Sequence, residues 1–237
     1  MAVSDYKRVL LKVSGEALAG DQSSGIESDF LNKVAGQIVE LARTGIEIAI
    51  VIGGGNIFRG MAVAASGGDR VTGDQMGMLA TVINSLALGD AIRRLGGKSH
   101  VFSNVSMPTI AETFTQRAGI AALENGAVLL CAGGTGSPFF TTDTAAALKA
   151  VELKCDVLLK GTKVDGVYDA DPATNPHARR FDAIGYDEVI RRNLRVMDTA
   201  AFALARDNRL PIIVYALDNE QGLSGVLGGT TPCTRVG

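Results

Sequence analysis

Two lysines close apolar runs beside glycine: Lys12 in Val9-Leu10-Leu11-Lys12-Val13-Ser14-Gly15, and Lys160 in Val157-Leu158-Leu159-Lys160-Gly161. Between them runs Ala132-Gly133-Gly134-Thr135-Gly136-Ser137-Pro138-Phe139-Phe140-Thr141-Thr142-Asp143-Thr144, with three glycines, four threonines, one serine and one aspartate. Glycine lets a backbone approach a ligand closely, and hydroxyls and bare N–H groups donate hydrogen bonds. A helix starting just beyond would favour an anion at its N-terminus. Thr and Asp are also favoured helix caps, so Asp143 has a purely local role open to it. Lysines at such loops suit phosphoryl transfer, in which catalysis is mostly alignment and neutralisation of charge.

The elements that must position these residues follow from apolar periodicity and turn residues. Strands are expected at 6–14, 46–52, 101–102, 127–131, 157–160 and 211–215. Helices are expected at 29–43, 81–95 (reaching back to Asp74 at most), 112–125, 145–150, 186–193, 199–208 and 221–227. Asp165-Gly166 reads as a hairpin turn. Strand-then-helix order argues a mainly parallel α/β sheet covered on both faces, a single domain over residues 1–237. The break in alternation after Lys160 suggests two lobes, about 1–155 and about 156–237.

Ligands of such sheets bind at the carboxyl ends of strands. Three glycine clusters qualify: Ser14-Gly15, Gly53-Gly54-Gly55-Asn56 and the Ala132–Thr144 stretch. The Walker A pattern fails, because the one Gly-Lys pair, Gly97-Lys98, has Ile92 where the first glycine belongs. The dinucleotide pattern fails at Phe58. Arg59, just past the second cluster, suits a phosphate clamp.

Bulk composition narrows the class. With 237 residues, a net charge of −2 and 29 glycines, nothing attracts nucleic acid or an acidic membrane surface. No apolar run is long enough to span a membrane, and the N-terminus reads as lacking a signal peptide. Cys131, Cys155 and Cys233 are scattered, as expected of reduced thiols in a cytoplasmic protein. With His100 and His177 they form no zinc spacing.

Five segments together resemble the bacterial UMP kinases of the amino acid kinase superfamily, over essentially the whole chain. They are Lys12-Val13-Ser14-Gly15-Glu16, Gly53 to Gly60, Asp74-Gln75-Met76-Gly77-Met78, Thr135 to Asp143, and Lys160-Gly161-Thr162-Lys163-Val164-Asp165-Gly166-Val167-Tyr168. The resemblance implies a three-layer αβα sandwich and transfer of the ATP γ-phosphoryl group to UMP, giving UDP, in pyrimidine nucleotide biosynthesis. It implies Lys12, Asp143, Lys160 and Asp198 as catalytic residues, with Asp143 organising the lysines. It implies ATP contacts at Lys12, Val13, Ser14, Gly15, Gly55, Arg59, Thr162, Tyr168 and Asp171. UMP contacts are implied at Gly54, Asp74, Thr135, Gly136, Ser137, Pro138, Phe139, Phe140, Thr141 and Thr142. Ser137 stands where many members have Asn. The acceptor would lie on the N-terminal lobe and ATP on the C-terminal lobe. Mg²⁺ would arrive with ATP, and no residue is named as a metal ligand. A homohexamer follows from the same resemblance, as do GTP activation and UTP inhibition, which many relatives show. Two other readings share the fold: a carboxylate or carbamate kinase, and a non-catalytic nucleotide sensor or storage protein. Retention of Lys12, Asp143 and Lys160 argues against the sensor, and Arg59 with Asp74 argues for a nucleotide acceptor.

Overall fold

The strands are β1 (Arg8–Val13), β2 (Glu47–Ile52), β3 (Ser99–Ser103), β4 (Glu112–Thr113), β5 (Val128–Ala132), β6 (Val157–Thr162), β7 (Ala183–Ile184), β8 (Ile212–Ala216) and β9 (Cys233–Val236). The helices are α1 (Gly15–Leu18), α2 (Ser28–Arg43), α3 (Arg70–Arg94), α4 (Gln116–Glu124), α5 (Thr142–Glu152), α6 (Tyr186–Arg191), α7 (Thr199–Asp207) and α8 (Gly222–Leu227). They come from a computed structural model that describes residues 6–20, 22–58, 67–194 and 196–237. Among these residues the strands form one sheet in the order β4-β3-β5-β2-β1-β6-β8-β9-β7. Every pairing is parallel except β8 with β9.

β1 lies at the centre, and all six of its residues are buried. Its side chains alternate between the faces. Val9, Leu11 and Val13 join the core beneath α2, α3 and α8. Leu10 joins the opposite core, beneath α4, α5, α6 and α7. Each such buried aliphatic side chain stabilises the fold by about 1.5–3 kcal/mol. Lys12 follows Leu10 onto the α5 face. The register sets Lys12 beside Lys160 of β6, so two lysines share one row of the sheet at its carboxyl edge.

The crossover from β5 to β6 carries α5 across β1 and β2. Ala145, Ala146, Ala147 and Ala150 make up most of its buried residues, with Thr144 and Lys149. Alanine favours the helix and lets it lie close to the strands. The first turn of α5 therefore ends over the two lysines.

Several elements depart from the sequence reading. α3 begins at Arg70, well before Thr81, capped by the Asp69 carboxylate, which accepts the Thr72 N–H at 2.8 Å. Its apolar residues lie on both sides, with Met78, Val82, Leu88 and Ile92 buried and Met76, Leu79 and Ile83 exposed, so no one-sided period marks its start. The expected helix from Glu112 gives way to the edge strand β4, and Thr115 then caps α4. The Asp165-Gly166 hairpin does not form. β6 pairs with β8, and the loop after it closes through a single antiparallel bridge, Tyr168 to Arg180. Strands β7 and β9 were not expected; both are short and sit at the far edge of the sheet.

Tyr215 of β8 is fully buried, and its hydroxyl has no hydrogen-bond partner among the described residues. An unmet buried donor opposes folding by about 1–3 kcal/mol. Tyr215→Phe keeps the ring and removes the orphan, so it should raise the melting temperature. A thermal melt showing a lower value would mean that the hydroxyl is satisfied in solution.

Candidate active site

Asp143 stands in the first turn of α5, over the lysine row. Its Oδ1 receives the Lys12 ammonium at 2.9 Å and the Lys160 ammonium as well. Lys12 and Lys160 are each only 6% exposed, so both cations are largely removed from water. Burial, the largest single influence on Asp143, pushes its carboxyl up, but the two ammonium groups together outweigh it and hold the carboxyl below the usual range. Burial, and next the charge of Lys12, pull Lys160 down to about 8, while Asp143 works in the opposite direction. The cap of α5 is Thr141, whose hydroxyl accepts the Asp143 and Thr144 N–H groups at 3.0 and 3.5 Å. Asp143 is thereby free of capping and serves the lysines.

Asp198 does not reach the lysines through any hydrogen bond or ion pair among the described residues. It caps α7, accepting the Ala201 N–H at 2.7 Å. It also accepts the Thr141 hydroxyl, and the Thr144 hydroxyl at 2.9 Å. In the structure it braces the first turn of α5 through Thr141 and Thr144.

Two cavities open near this centre. One, of about 240 Å³, is lined by Gly54, Gly55, Phe58, Asp74, Gly77, Met78, Thr81, Gly134, Thr135, Phe140, Thr141 and Thr142. It gathers six of the ten residues expected for the acceptor. The other four, Gly136, Ser137, Pro138 and Phe139, form the outer bend of the loop and do not line the cavity. Phe139 has φ 72° and is 65% exposed. Its N–H donates to Asp74 at 2.7 Å, and Arg70 Nε donates to both Asp74 oxygens at 2.9 Å. Asp74 thus anchors the loop as well as facing the cavity.

The other cavity, of about 410 Å³, includes Lys12, Ser14, Glu16, Lys160, Thr162 and Val164 in its wall. It shares Val164, Gly166 and Val196 with a further hollow of about 530 Å³ that holds Tyr168 and Asp171. Of the other residues expected on the ATP side, Val13, Gly15 and Gly55 are not in the walls of these hollows. Val13 is a core residue, and its carbonyl accepts the Gly53 N–H at 2.9 Å. Gly15 serves packing, because a Cβ there would collide with the Gly53 carbonyl. Gly55 lines the cavity of about 240 Å³ instead. Arg59 lies outside the described residues.

The residues that hold the glycine loops escaped the sequence reading. Asn84, fully buried on α3, donates to the Gly53 carbonyl and to Asn56 Oδ1, both at 2.7 Å. Asn56 donates back to Asn84 Oδ1 at 3.1 Å and to the Gly25 carbonyl at 2.7 Å. One turn earlier on α3, the Thr81 hydroxyl accepts the Gly133 N–H at 2.9 Å. Asn104 donates to the Gly134 carbonyl. For Thr81 and Asn84 the signal in the sequence is a polar residue inside a helix that buries its face; Asn56 and Asn104, in turns after β2 and β3, carry none of that kind.

The opposed pulls on Lys160 can be separated. Removing Asp143 as Asp143→Asn should lower the Lys160 pKa below about 8, and removing the neighbouring charge as Lys12→Met should raise it. Titration of the labelled lysine by NMR reads both. Shifts of the same sign in the two variants would refute this account of the charges. Because the folded value lies below the ordinary 10.5, protonated Lys160 opposes folding, and that opposition is relieved as pH rises through about 8 toward 10.5.

The comparisons with known proteins agree with this geometry. The model of the amino acid kinase family matches residues 7–216. The chain is 58% identical to a uridylate kinase of Bartonella henselae over 231 residues, covering 98% of this chain and 97% of that protein. It is 56% identical to a uridylate kinase of Brucella anthropi, covering 98% and 96%. Among solved structures it is similar to UMP kinase from Bacillus anthracis, with a TM-score of 0.93 at 37% identity, covering 98% of this chain and 96% of the other. UMP kinase from Ureaplasma parvum gives 0.92 at 35%, covering 97% and 98%. Two buried lysines on one carboxylate beside two cavities, in a chain so similar over nearly its full length, belong to the amino acid kinase family and within it to the bacterial uridylate kinases.

Proposed function

We propose that this chain transfers the γ-phosphoryl group of ATP to UMP, giving ADP and UDP. The observation that carries the reading is the Lys12–Asp143–Lys160 cluster, with both lysines in the wall of one cavity and Thr141 and Thr142, next to Asp143, in the wall of the other. The acceptor oxygen belongs to a phosphate monoester and is already anionic, so no general base is needed. Lys12 and Lys160 offer fixed positive charge to the transferring oxygens, in a site where burial strengthens it. UMP takes the cavity of Gly54, Asp74, Thr135 and Thr141, on the N-terminal lobe. The ATP phosphates take the cavity of Ser14, Lys160 and Thr162, and the adenosine the hollow of Tyr168 and Asp171, on the C-terminal lobe. The outer bend Gly136–Phe139 reaches UMP by folding over it.

Mg²⁺ enters with ATP and neutralises phosphate charge when bound. Both lysines meet Oδ1 of Asp143, and the same carboxylate would hold a water of the metal's shell through its other oxygen. Assembly as a homohexamer is part of the proposal, supported by the exposed Met76, Leu79 and Ile83 on α3. So are GTP activation, UTP inhibition and a cytoplasmic location. No helix among the described residues is long and apolar enough to cross a membrane.

A coupled ADP-release assay offering UMP, CMP, glutamate, aspartate and carbamate tests the reading. Turnover with UMP is expected, and turnover with another acceptor but not UMP would overturn it. In the same assay Lys12→Ala should lower kcat roughly a hundredfold, about 3 kcal/mol of barrier, with little change in KM for UMP. Asp74→Asn should raise KM for UMP by about tenfold, because a charged acceptor is lost both to the ligand and to the loop.

A further inference from the structure

The donor-side loop 163–168 rests on a residue of the last strand. Thr234 of β9 is fully buried, and its hydroxyl accepts the Val167 N–H at 2.8 Å. The same hydroxyl donates to the Phe181 carbonyl. Gly166, in the wall of both donor-side hollows, lies so close above it that a Cβ would collide with Thr234 Oγ1. Arg180 adds a second tie, donating to the Cys233 carbonyl at 2.8 Å beside its bridge to Tyr168.

Register gives this contact its bearing on the site. Thr234 is paired with Val214, and Val214 with Lys160. Residues directly paired across a sheet point to the same face, so Thr234 and Lys160 stand in one row, two strands or about 10 Å apart. That row continues through Lys12. The hydroxyl that supports the loop and the cations that meet the phosphates are therefore fixed on one rigid frame.

We propose that Thr234 is a positioning residue of the donor site, holding loop 163–168 at a set height and distance from Lys160 so that the nucleoside and phosphates of ATP are bound together. The proposal rests on the ATP-and-UMP reading above. It concerns ground-state binding of the donor, so its signature is in KM for ATP and not in the chemical step.

Thr234→Val keeps the shape and removes the acceptor for the Val167 N–H; Thr234→Ser keeps the hydroxyl. Thr234→Val is expected to raise KM for ATP about tenfold, with kcat within about threefold and KM for UMP within about twofold. Thr234→Ser should restore the wild-type KM for ATP. Calorimetric titration with AMP-PNP, without UMP, should show the same tenfold loss for Thr234→Val. An unchanged affinity for AMP-PNP, or equal rises in both KM values, would overturn the proposal. A reading that needs no variant is hydrogen exchange at the Val167 amide of the wild type. AMP-PNP should slow it at least about tenfold through the ordered loop and UMP should not; equal protection by both would overturn the proposal. Wild-type turnover of ATP with UMP, measured alongside, separates failure of this inference from failure of the functional reading.

Discussion

Two ammonium groups in adjacent positions of a buried sheet row repel each other, and Asp143 is what makes the arrangement tenable. Either lysine alone would be expensive to bury, and the pair more so. The carboxylate satisfies both, yet its single charge leaves the cluster with a net positive charge. Such a site is balanced only when an anion arrives, which is the condition a phosphoryl-transfer centre has to meet. The rest of the fold can be understood as what keeps those three groups in place. The parallel register of β1 and β6 sets the lysines side by side, and the crossover from β5 brings α5 over them. Alanines on its buried face let the helix settle close enough for a short aspartate to reach.

A second constraint is the contact between the first two glycine loops. Gly15 and Gly53 approach until neither has room for a side chain, and the Asn84–Asn56 pair pins the Gly53 carbonyl from beneath. All four N–H bonds of the two amides are used. A fully satisfied buried network of this kind is rigid, and rigidity is what a site that works by alignment requires.

Much of this was legible in the sequence because it is local. The strands carrying Lys12 and Lys160 announce themselves as apolar runs, and the loop before α5 by its glycines and threonines. Cap competition resolved itself in favour of Thr141, which only geometry could decide between neighbours of equal propensity. What escaped is non-local. Asn84, Thr81 and Thr234 look like ordinary polar residues until the chain brings Gly53, Gly133 and Val167 against them, from 31, 52 and 67 residues away. β9 is four residues long and has no partner nearby in sequence except the strand it runs back along. The Asp165-Gly166 pair misled for a related reason: its glycine is needed for space against Thr234, not for a left-handed turn.

Four consecutive residues at the head of α5 divide the labour of the site. Successive helix positions point about 100° apart, so a single turn can address every side. Thr141 and Thr142 face the acceptor cavity, Asp143 the lysines, and Thr144 the brace at Asp198. Asp198 in turn starts α7, two residues after Val196, which lines both donor-side hollows. The walls of the two cavities are thus joined through one carboxylate and one helix turn. A reaction that needs a strong base would gain little from this, since its barrier is set at a titrating group. Transfer between two phosphates gains directly, because its barrier depends on how well both are held in line while charge is neutralised.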